Sequence, residues 1–179
     1  AQRFSNEART VAALDHPSIV TVYAYGIDGD RPWFTMNHVD GDDLTHVRLT
    51  PIEVGQVLTQ VGDALDYAHG RGVIHRDVKP SNVMLEGLCR PPTDAAESPP
   101  LRPRLTDFGL AKREAGEIAM TVEGQILGTP AYMSPEQARG QVEGVDGRTD
   151  VYSLGVVLYQ LLTGVLPFLG TKRMLIYQV

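Results

Sequence analysis

The sequence predicts one α+β domain, because signals for strands are followed by signals for long helices. Bulky residues over 19–25 and 32–39, with a turn at 28–30 between them, predict a β-hairpin. Two later segments, 50–70 and 150–163, combine a capping residue with a run of apolar positions. Strands followed by helices are typical of an α+β fold.

The segment 50–70 carries the strongest helix signals. Thr50 is suited to cap the helix, Pro51 to occupy its first position, and Glu53 to complete a capping box. The apolar positions that follow recur at helical spacing and predict a buried face: Val54, Val57, Leu58, Val61, Leu65 and Ala68. Gly70 and Gly72 mark the end of the helix.

Two further helices are predicted from their ends. Ser5 is suited to cap the first, and Pro17 ends it because proline restricts the residue before it. Thr149 is predicted to cap the second, which runs from Asp150 to about Thr163 and stops at Gly164. The second is the most apolar part of the chain, so we expect it in the core.

Composition and charge exclude several classes of function. The net charge of −6 gives no indication of a nucleic-acid-binding face. The chain has one cysteine, Cys89, which excludes an internal disulfide. The apolar stretch 151–170 is interrupted by polar residues and Pro167. We therefore expect a core helix rather than a membrane segment. The expected location is the cytoplasm, with anchoring of the full-length protein to a membrane by segments outside this sequence as the alternative.

The segment 87–104 differs from the rest of the chain in composition. It contains five prolines together with acidic and hydroxyl residues. Such a composition favours a solvated loop, because it offers few groups for a strand ladder and little apolar surface to bury. A proline-rich docking motif is the alternative interpretation.

The most informative stretch is Val73 to Asn82, which follows the helix predicted over 50–70. Five polar side chains occupy eight residues in the pattern H-R-D-x-K-x-x-N: His75, Arg76, Asp77, Lys79 and Asn82. This pattern is typical of a loop that catalyses phosphoryl transfer. Asp77 would accept a hydroxyl proton, Lys79 would neutralise charge on the moving phosphoryl group, and Asn82 would offer an oxygen to Mg²⁺. The alternative is a solvated polar turn.

A second signature, Asp107-Phe108-Gly109, follows in the order that a phosphotransferase requires. With it, the sequence resembles the serine/threonine protein kinase domain, and is most similar to the bacterial members of the eukaryotic-like family. The resemblance rests on these two motifs and four other segments: a helix with Glu7, the run 40–44, the run 128–136 and the run 150–155.

The resemblance implies a two-lobed α+β kinase fold that is incomplete at both ends. Residues 1–39 would be part of the small lobe, and 40–179 part of the large lobe, with the proline-rich insertion at about 87–104. Glu7 would pair with a lysine that grips the ATP phosphates, but the sequence before it has neither that lysine nor a glycine-rich loop. We therefore expect a fragment that is inactive by itself.

The resemblance also implies the reaction, which is transfer of the γ-phosphoryl group of ATP to serine or threonine hydroxyls of protein substrates, including autophosphorylation. Asp107 and Asn82 would hold Mg²⁺, with Mn²⁺ as an alternative ion. Lys79 is the residue expected of a serine/threonine enzyme at that position. Phe108 would pack inward beside His75, and Asp150 would brace the backbone of the catalytic loop.

The adenine site would lie where the predicted hairpin meets the large lobe. By resemblance, Met36 is the gatekeeper, the main chain of Asn37 and Val39 bonds the purine edge, and Met84 forms the floor of the pocket. The alternative is an edge strand with a core methionine.

The activation segment would run from Asp107 to Glu136. Kinases with an arginine at the position of Arg76 are commonly switched on by phosphorylation of this segment, and Thr121 is the candidate site. Thr129 would contact Asp77 and Lys79, and Glu136 would pair with a distant arginine. The alternatives are an exposed loop residue for Thr121 and a plain turn residue for Thr129.

Two rival functions differ in class from a protein kinase. A pseudokinase would keep the shape as a binding module, but the catalytic residues Asp77, Lys79, Asn82 and Asp107 are all present. A small-molecule kinase is disfavoured by the run 128–136, which in the family serves peptide substrates.

Overall fold

The computed structural model describes residues 9–29, 31–87, 100–108, 130–140 and 145–169. Residues 9–12 are helical, which agrees with the first predicted helix. Several predictions lie outside the described residues: the Ser5 cap, Glu7, most of the proline-rich insertion, Gly109, Thr121 and Thr129.

The predicted hairpin is present, with strand boundaries shifted by about three residues. Strand β1, Val22–Asp28, pairs antiparallel with β2, Arg31–Met36. The predicted first strand began too early, because Ile19 forms a parallel bridge to Leu105 and the Val20 N–H donates to the Leu105 carbonyl. Segment 18–20 therefore belongs to the main body of the fold and not to the hairpin.

The second sheet has three antiparallel strands in the order β3-β4-β5. They are Gly41–Asp43, Val83–Glu86 and Arg102–Leu105. Residues 102–104 were predicted to be part of the insertion, and this was wrong. Pro103 is compatible with a strand because the partner of β5 on the side away from β4, segment 18–20, bridges at Leu105 and not at Pro103, so a missing N–H is tolerated there.

The helix predicted over 50–70 is confirmed as α1, Pro51–His69. The Thr50 hydroxyl accepts from the Glu53 N–H at 3.3 Å, and the Glu53 carboxylate accepts from the Thr50 N–H at 2.8 Å. The predicted apolar positions are all buried, together with Ala64. The capping box and the apolar period therefore specify both the start and the inner face of α1.

Two more helices follow among the described residues: α2, Pro135–Ala138, and α3, Gly147–Thr163. The predicted cap of α3 was wrong. Asp146 caps the helix by accepting from the Arg148 N–H, whereas Thr149 lies in the first turn and is fully buried. Among the described residues, no helix is long and apolar enough to span a membrane.

One hydrophobic core joins these elements. The inner face of α1 packs with the β4 and β5 side chains Val83, Leu85 and Leu105, and Val157 of α3 and Phe108 lie in the same cluster. Burying a side chain of this size contributes about 1.5–3 kcal/mol. The core therefore fixes β4 and β5. Asn82 lies directly before β4, and Asp107 lies two residues after β5.

The contact between β3 and β4 gives a testable prediction about glycine. A Cβ at Gly41 would lie 1.9 Å from the Leu85 carbonyl oxygen, whereas a Cβ at Gly55 of α1 would meet nothing within 4 Å. We expect Gly41→Ala to lower the free energy of unfolding markedly, because backbone must move. Gly55→Ala should raise it by about 0.5–1 kcal/mol, the helix preference of alanine over glycine.

Urea denaturation of the two variants beside the parent measures both effects. Equal stability of Gly41→Ala and the parent would show that β3 does not pack this closely on β4.

Candidate active site

The residues 73–82 form a loop between α1 and β4 that ends in a 3-10 turn, Pro80–Asn82. Its polar side chains converge on one carboxylate. Lys79 Nζ donates to Asp77 Oδ2 at 2.9 Å, and Asn82 Nδ2 donates to the same oxygen at 3.3 Å and to the Asp77 carbonyl at 2.8 Å. Asp77, Lys79 and Asn82, which were predicted to share the chemistry, are therefore in contact. A solvated polar turn would not need its side chains to meet in this way.

Asp150 of α3 anchors the backbone of this loop. Its side chain is fully buried and accepts from the N–H groups of His75, at 2.9 Å, and Arg76, at 2.7 Å. Arg76 has a φ of 65°, a left-handed conformation that costs a non-glycine residue about 1–3 kcal/mol. The predicted bracing role of Asp150 is visible in these bonds, which hold the loop in an otherwise unfavourable conformation.

His75 connects the loop to the end of β5. Its Nε2 lies 2.8 Å from the Thr106 carbonyl, and its Nδ1 accepts from the Asp77 N–H at 3.2 Å. This pattern requires a neutral ring with the proton on Nε2. Burial, which opposes the charged form, lowers the pKa of His75 despite the nearby carboxylates. The Phe108 ring packs against it at a centroid distance of 4.6 Å, as predicted.

Asn82 and Asp107 are adjacent through the sheet. The Thr106 N–H donates to the Asn82 carbonyl at 2.9 Å, so Asp107 lies one residue beyond that contact. The Asn82 amide nitrogen bonds to Asp77, and its oxygen is the atom that suits a cation. One carboxylate and one amide oxygen fit Mg²⁺, which keeps waters and binds phosphate oxygens. In the described part of the chain, no group of three or more His, Cys, Asp or Glu side chains forms a separate metal site.

Two of the predicted adenine residues lie in strands of different sheets, and the other two follow β2 in the chain. Met36 ends β2, and Met84 is half-buried in β4 opposite Asp43. The Asn37 N–H donates to the Thr21 carbonyl at 2.9 Å. The carbonyl of Asn37 is therefore the main-chain group that suits a purine, and Val39 follows it in a segment without regular structure.

Helix α2 contacts α3 through Glu136. Glu136 accepts a hydrogen bond from the Thr149 hydroxyl of α3. Partial burial of Glu136 opposes ionisation, but this bond and others outweigh it and hold the pKa of the carboxyl below its ordinary value. The described residues thus give Glu136 a partner in α3, whereas the predicted distant arginine stays a prediction.

Sequence reasoning missed two side chains at the site. His69, at the end of α1, lies 2.7 Å from the Asp150 carboxylate through its Nε2. Gln137, in α2, donates from its Nε2 to the Arg76 carbonyl at 2.9 Å. Neither residue stands in a motif with Asp77, so no sequence pattern indicated these contacts.

Comparison with known proteins assigns the family. The whole chain, residues 1–179, matches the family model described as the protein kinase domain, and the chain belongs to the protein kinase family. It is 44% identical over 170 residues to the serine/threonine-protein kinase Pkn1 of Myxococcus xanthus, covering 93% of this chain and 23% of that protein. It is 41% identical over 177 residues to PknB of Mycobacterium leprae, covering 94% and 26%. The chain thus spans about a quarter of the length of these curated relatives.

Solved structures agree with this assignment. The PknI kinase domain of Mycobacterium tuberculosis is 34% identical, with a TM-score of 0.70 over 93% of this chain and 58% of that one. Rad53 1–466, crystallised in complex with AMP-PNP, is 27% identical, with a TM-score of 0.75 over 99% of this chain and 42% of that one. The predicted α+β kinase fold is confirmed.

The contact between His69 and Asp150 predicts a pH dependence of stability. The hydrogen bond to Asp150 raises the pKa of His69, partial burial opposes the rise, and Asp66 and Asp146 add to it. Because the folded pKa lies above the unfolded one, the stabilisation is complete below about pH 6.5 and is lost as pH rises through the folded value. We expect the loss of unfolding free energy in His69→Gln to be largest at low pH.

Chemical denaturation between pH 5 and 8 checks this, with the exposed His38→Gln as control. A stability difference between parent and His69→Gln that grows as pH rises would contradict the assignment.

Proposed function

We propose that the chain is the catalytic domain of a serine/threonine protein kinase that transfers the γ-phosphoryl group of Mg-ATP to hydroxyls of protein substrates. The observation that carries the proposal is the Asp77 carboxylate, held by Lys79 at 2.9 Å and Asn82 at 3.3 Å in a loop with an anchored backbone. Because the reaction consumes ATP, the proposal places the domain in the cytoplasm.

In this reaction the oxygen of a substrate hydroxyl bonds to the γ-phosphorus, the bond to the β,γ-bridging oxygen breaks, and ADP leaves. Asp77 orients the hydroxyl and accepts its proton. Lys79, fixed beside that carboxylate, offsets negative charge on the phosphoryl group in transfer. Catalysis then depends on position and counter-charge more than on covalent chemistry.

ATP and its metal are assigned to the remaining residues. Bound Mg²⁺, or Mn²⁺, would neutralise the β- and γ-phosphates, and Asn82 and Asp107 are the residues that would hold it. Met36, Asn37, Val39 and Met84 would receive the adenine. AMP-PNP, the ligand of the Rad53 structure, supports a nucleotide site in this fold.

Serine and threonine are proposed as acceptors on two grounds. Lys79 is the residue that the family's serine/threonine members have at this position, and the relatives Pkn1 and PknB are named serine/threonine-protein kinases. Thr129 would support the same specificity by contacting Asp77 and Lys79. Glu7, by resemblance, would pair with the phosphate-binding lysine.

The first test removes the proton acceptor. In the full-length protein, Asp77→Asn should lower kcat for a serine-containing peptide by roughly 10² or more, the usual scale for a positioned base. Asp63→Asn is the matched control, because it changes an exposed carboxylate on α1. Steady-state transfer of labelled phosphate measures both. Near-parent turnover of Asp77→Asn would mean that Asp77 has another role.

The second test separates metal binding from proton transfer. Asp107→Asn should raise the Mg²⁺ concentration needed for half-maximal rate, because a carboxylate ligand becomes a neutral amide. Saturating Mg²⁺ should restore part of its activity, whereas it should not restore Asp77→Asn. A parent-like Mg²⁺ dependence of Asp107→Asn would remove it from the metal site.

The third test addresses activation. We propose that Thr121 is autophosphorylated and that Arg76 binds the phosphate, since a phosphate adds nearly two negative charges that an arginine can bind. Mass spectrometry after incubation with Mg-ATP should find phosphate on Thr121, and Thr121→Ala should be less active. An unmodified Thr121 together with full activity of Thr121→Ala would contradict this.

A further inference from the structure

We infer that Gln137 is a positioning residue for Asp77, through the peptide group that joins Arg76 to Asp77. Two bonds fix that group. The Gln137 Nε2 donates to its carbonyl oxygen at 2.9 Å, and the His75 Nδ1 accepts from its N–H at 3.2 Å. Asp150 holds the preceding peptide group through the Arg76 N–H at 2.7 Å. The inference rests on the proposed function, since it assigns Gln137 a role in the work of Asp77.

The conformation of Arg76 explains why such a bond matters. Its φ of 65° is costly, so the loop holds this shape only while neighbouring groups determine it. Of the two bonds given above, the one from Gln137 is the shorter and comes from another element, α2. Without it, the peptide plane rotates more freely, and the backbone that carries the Asp77 carboxylate is less fixed although Lys79 and Asn82 still bond to the carboxylate.

Gln137 is itself held in place by the cap of α2. Its Oε1 accepts from the Ser134 N–H at 3.1 Å, and its own N–H donates to the Ser134 hydroxyl at 3.4 Å. Ser134 is fully buried against Thr149 of α3. One amide group therefore caps α2 with its oxygen and holds the catalytic loop with its nitrogen, so α2 and the loop are ordered together.

The two functions of the amide can be separated by substitution. Gln137→Glu keeps an oxygen acceptor for Ser134, and glutamate is a standard partner in a capping box. It removes the donor to Arg76 and places a carboxylate beside a carbonyl. Gln137→Met removes both bonds. A control with the same chemistry elsewhere is Gln60→Glu, because Gln60 Nε2 donates to the Leu101 carbonyl at 3.1 Å, on the outer part of α1.

The experiment compares these variants of the full-length protein by steady-state transfer to a peptide. We expect Gln137→Glu to lower kcat about tenfold, the scale of one lost hydrogen bond, with the KM for ATP changed less than about twofold. The ratio of its kcat to that of the parent should rise as pH falls, because a protonated carboxyl again donates to Arg76. Gln60→Glu should keep the parent kcat.

The inference would be overturned if Gln137→Glu kept the parent kcat while Gln137→Met had a low kcat, since the cap of α2 alone would then explain the effect of substituting Gln137. A reduced kcat with a ratio that is flat in pH would also overturn it, because the donated bond would not be the cause. If the parent protein transfers no phosphate to any hydroxyl, the proposed function fails and the inference with it. An active parent with an equally active Gln137→Glu overturns the inference alone.

Discussion

The buried carboxylate of Asp150 is the interaction on which the arrangement of the site depends. A buried charge is strongly unfavourable unless donors surround it, and here the donors are the N–H groups of His75 and Arg76 and the ring of His69. Asp150 also lies in the first turn of α3, where the helix dipole favours a negative charge. The same carboxylate therefore joins the end of α1, the start of α3 and the loop 73–82.

Strain at the site is confined to two positions, both next to the proposed chemistry. Among the described residues, Arg76 and Asp107 are the non-glycine residues with positive φ, at 65° and 57°. Arg76 is held by side chains from α2 and α3. Asp107 stands between Thr106, which bonds to His75 and Asn82, and the buried ring of Phe108. Rigid neighbours thus keep both residues in conformations that an isolated loop would leave.

The sequence was informative where spacing along the chain determines the structure. The convergence of Lys79 and Asn82 on Asp77 happens within six residues, and the capping box of α1 within four, so their patterns were readable. The contacts of His69 and Gln137 join residues 81 and 61 positions apart, and no local pattern encodes them. The errors have the same origin: β1 begins late because Ile19 bridges to Leu105, and Thr149 is not a cap because its hydroxyl turns inward to Glu136.

The attachment of segment 17–20 to strand β5 determines where the β1–β2 hairpin begins. The Leu105 N–H donates to the Ser18 carbonyl at 2.8 Å, and Arg104 bonds both Glu86 and the Pro17 carbonyl. This segment is therefore bound to the three-stranded sheet β3-β4-β5. The β1–β2 hairpin leaves it at Thr21 and returns at Asn37, whose N–H bonds back to Thr21. Besides these two chain connections, Val22 and Tyr25 of β1 pack against the hydrophobic core, so side chains as well as the stem hold the hairpin to the main body of the fold.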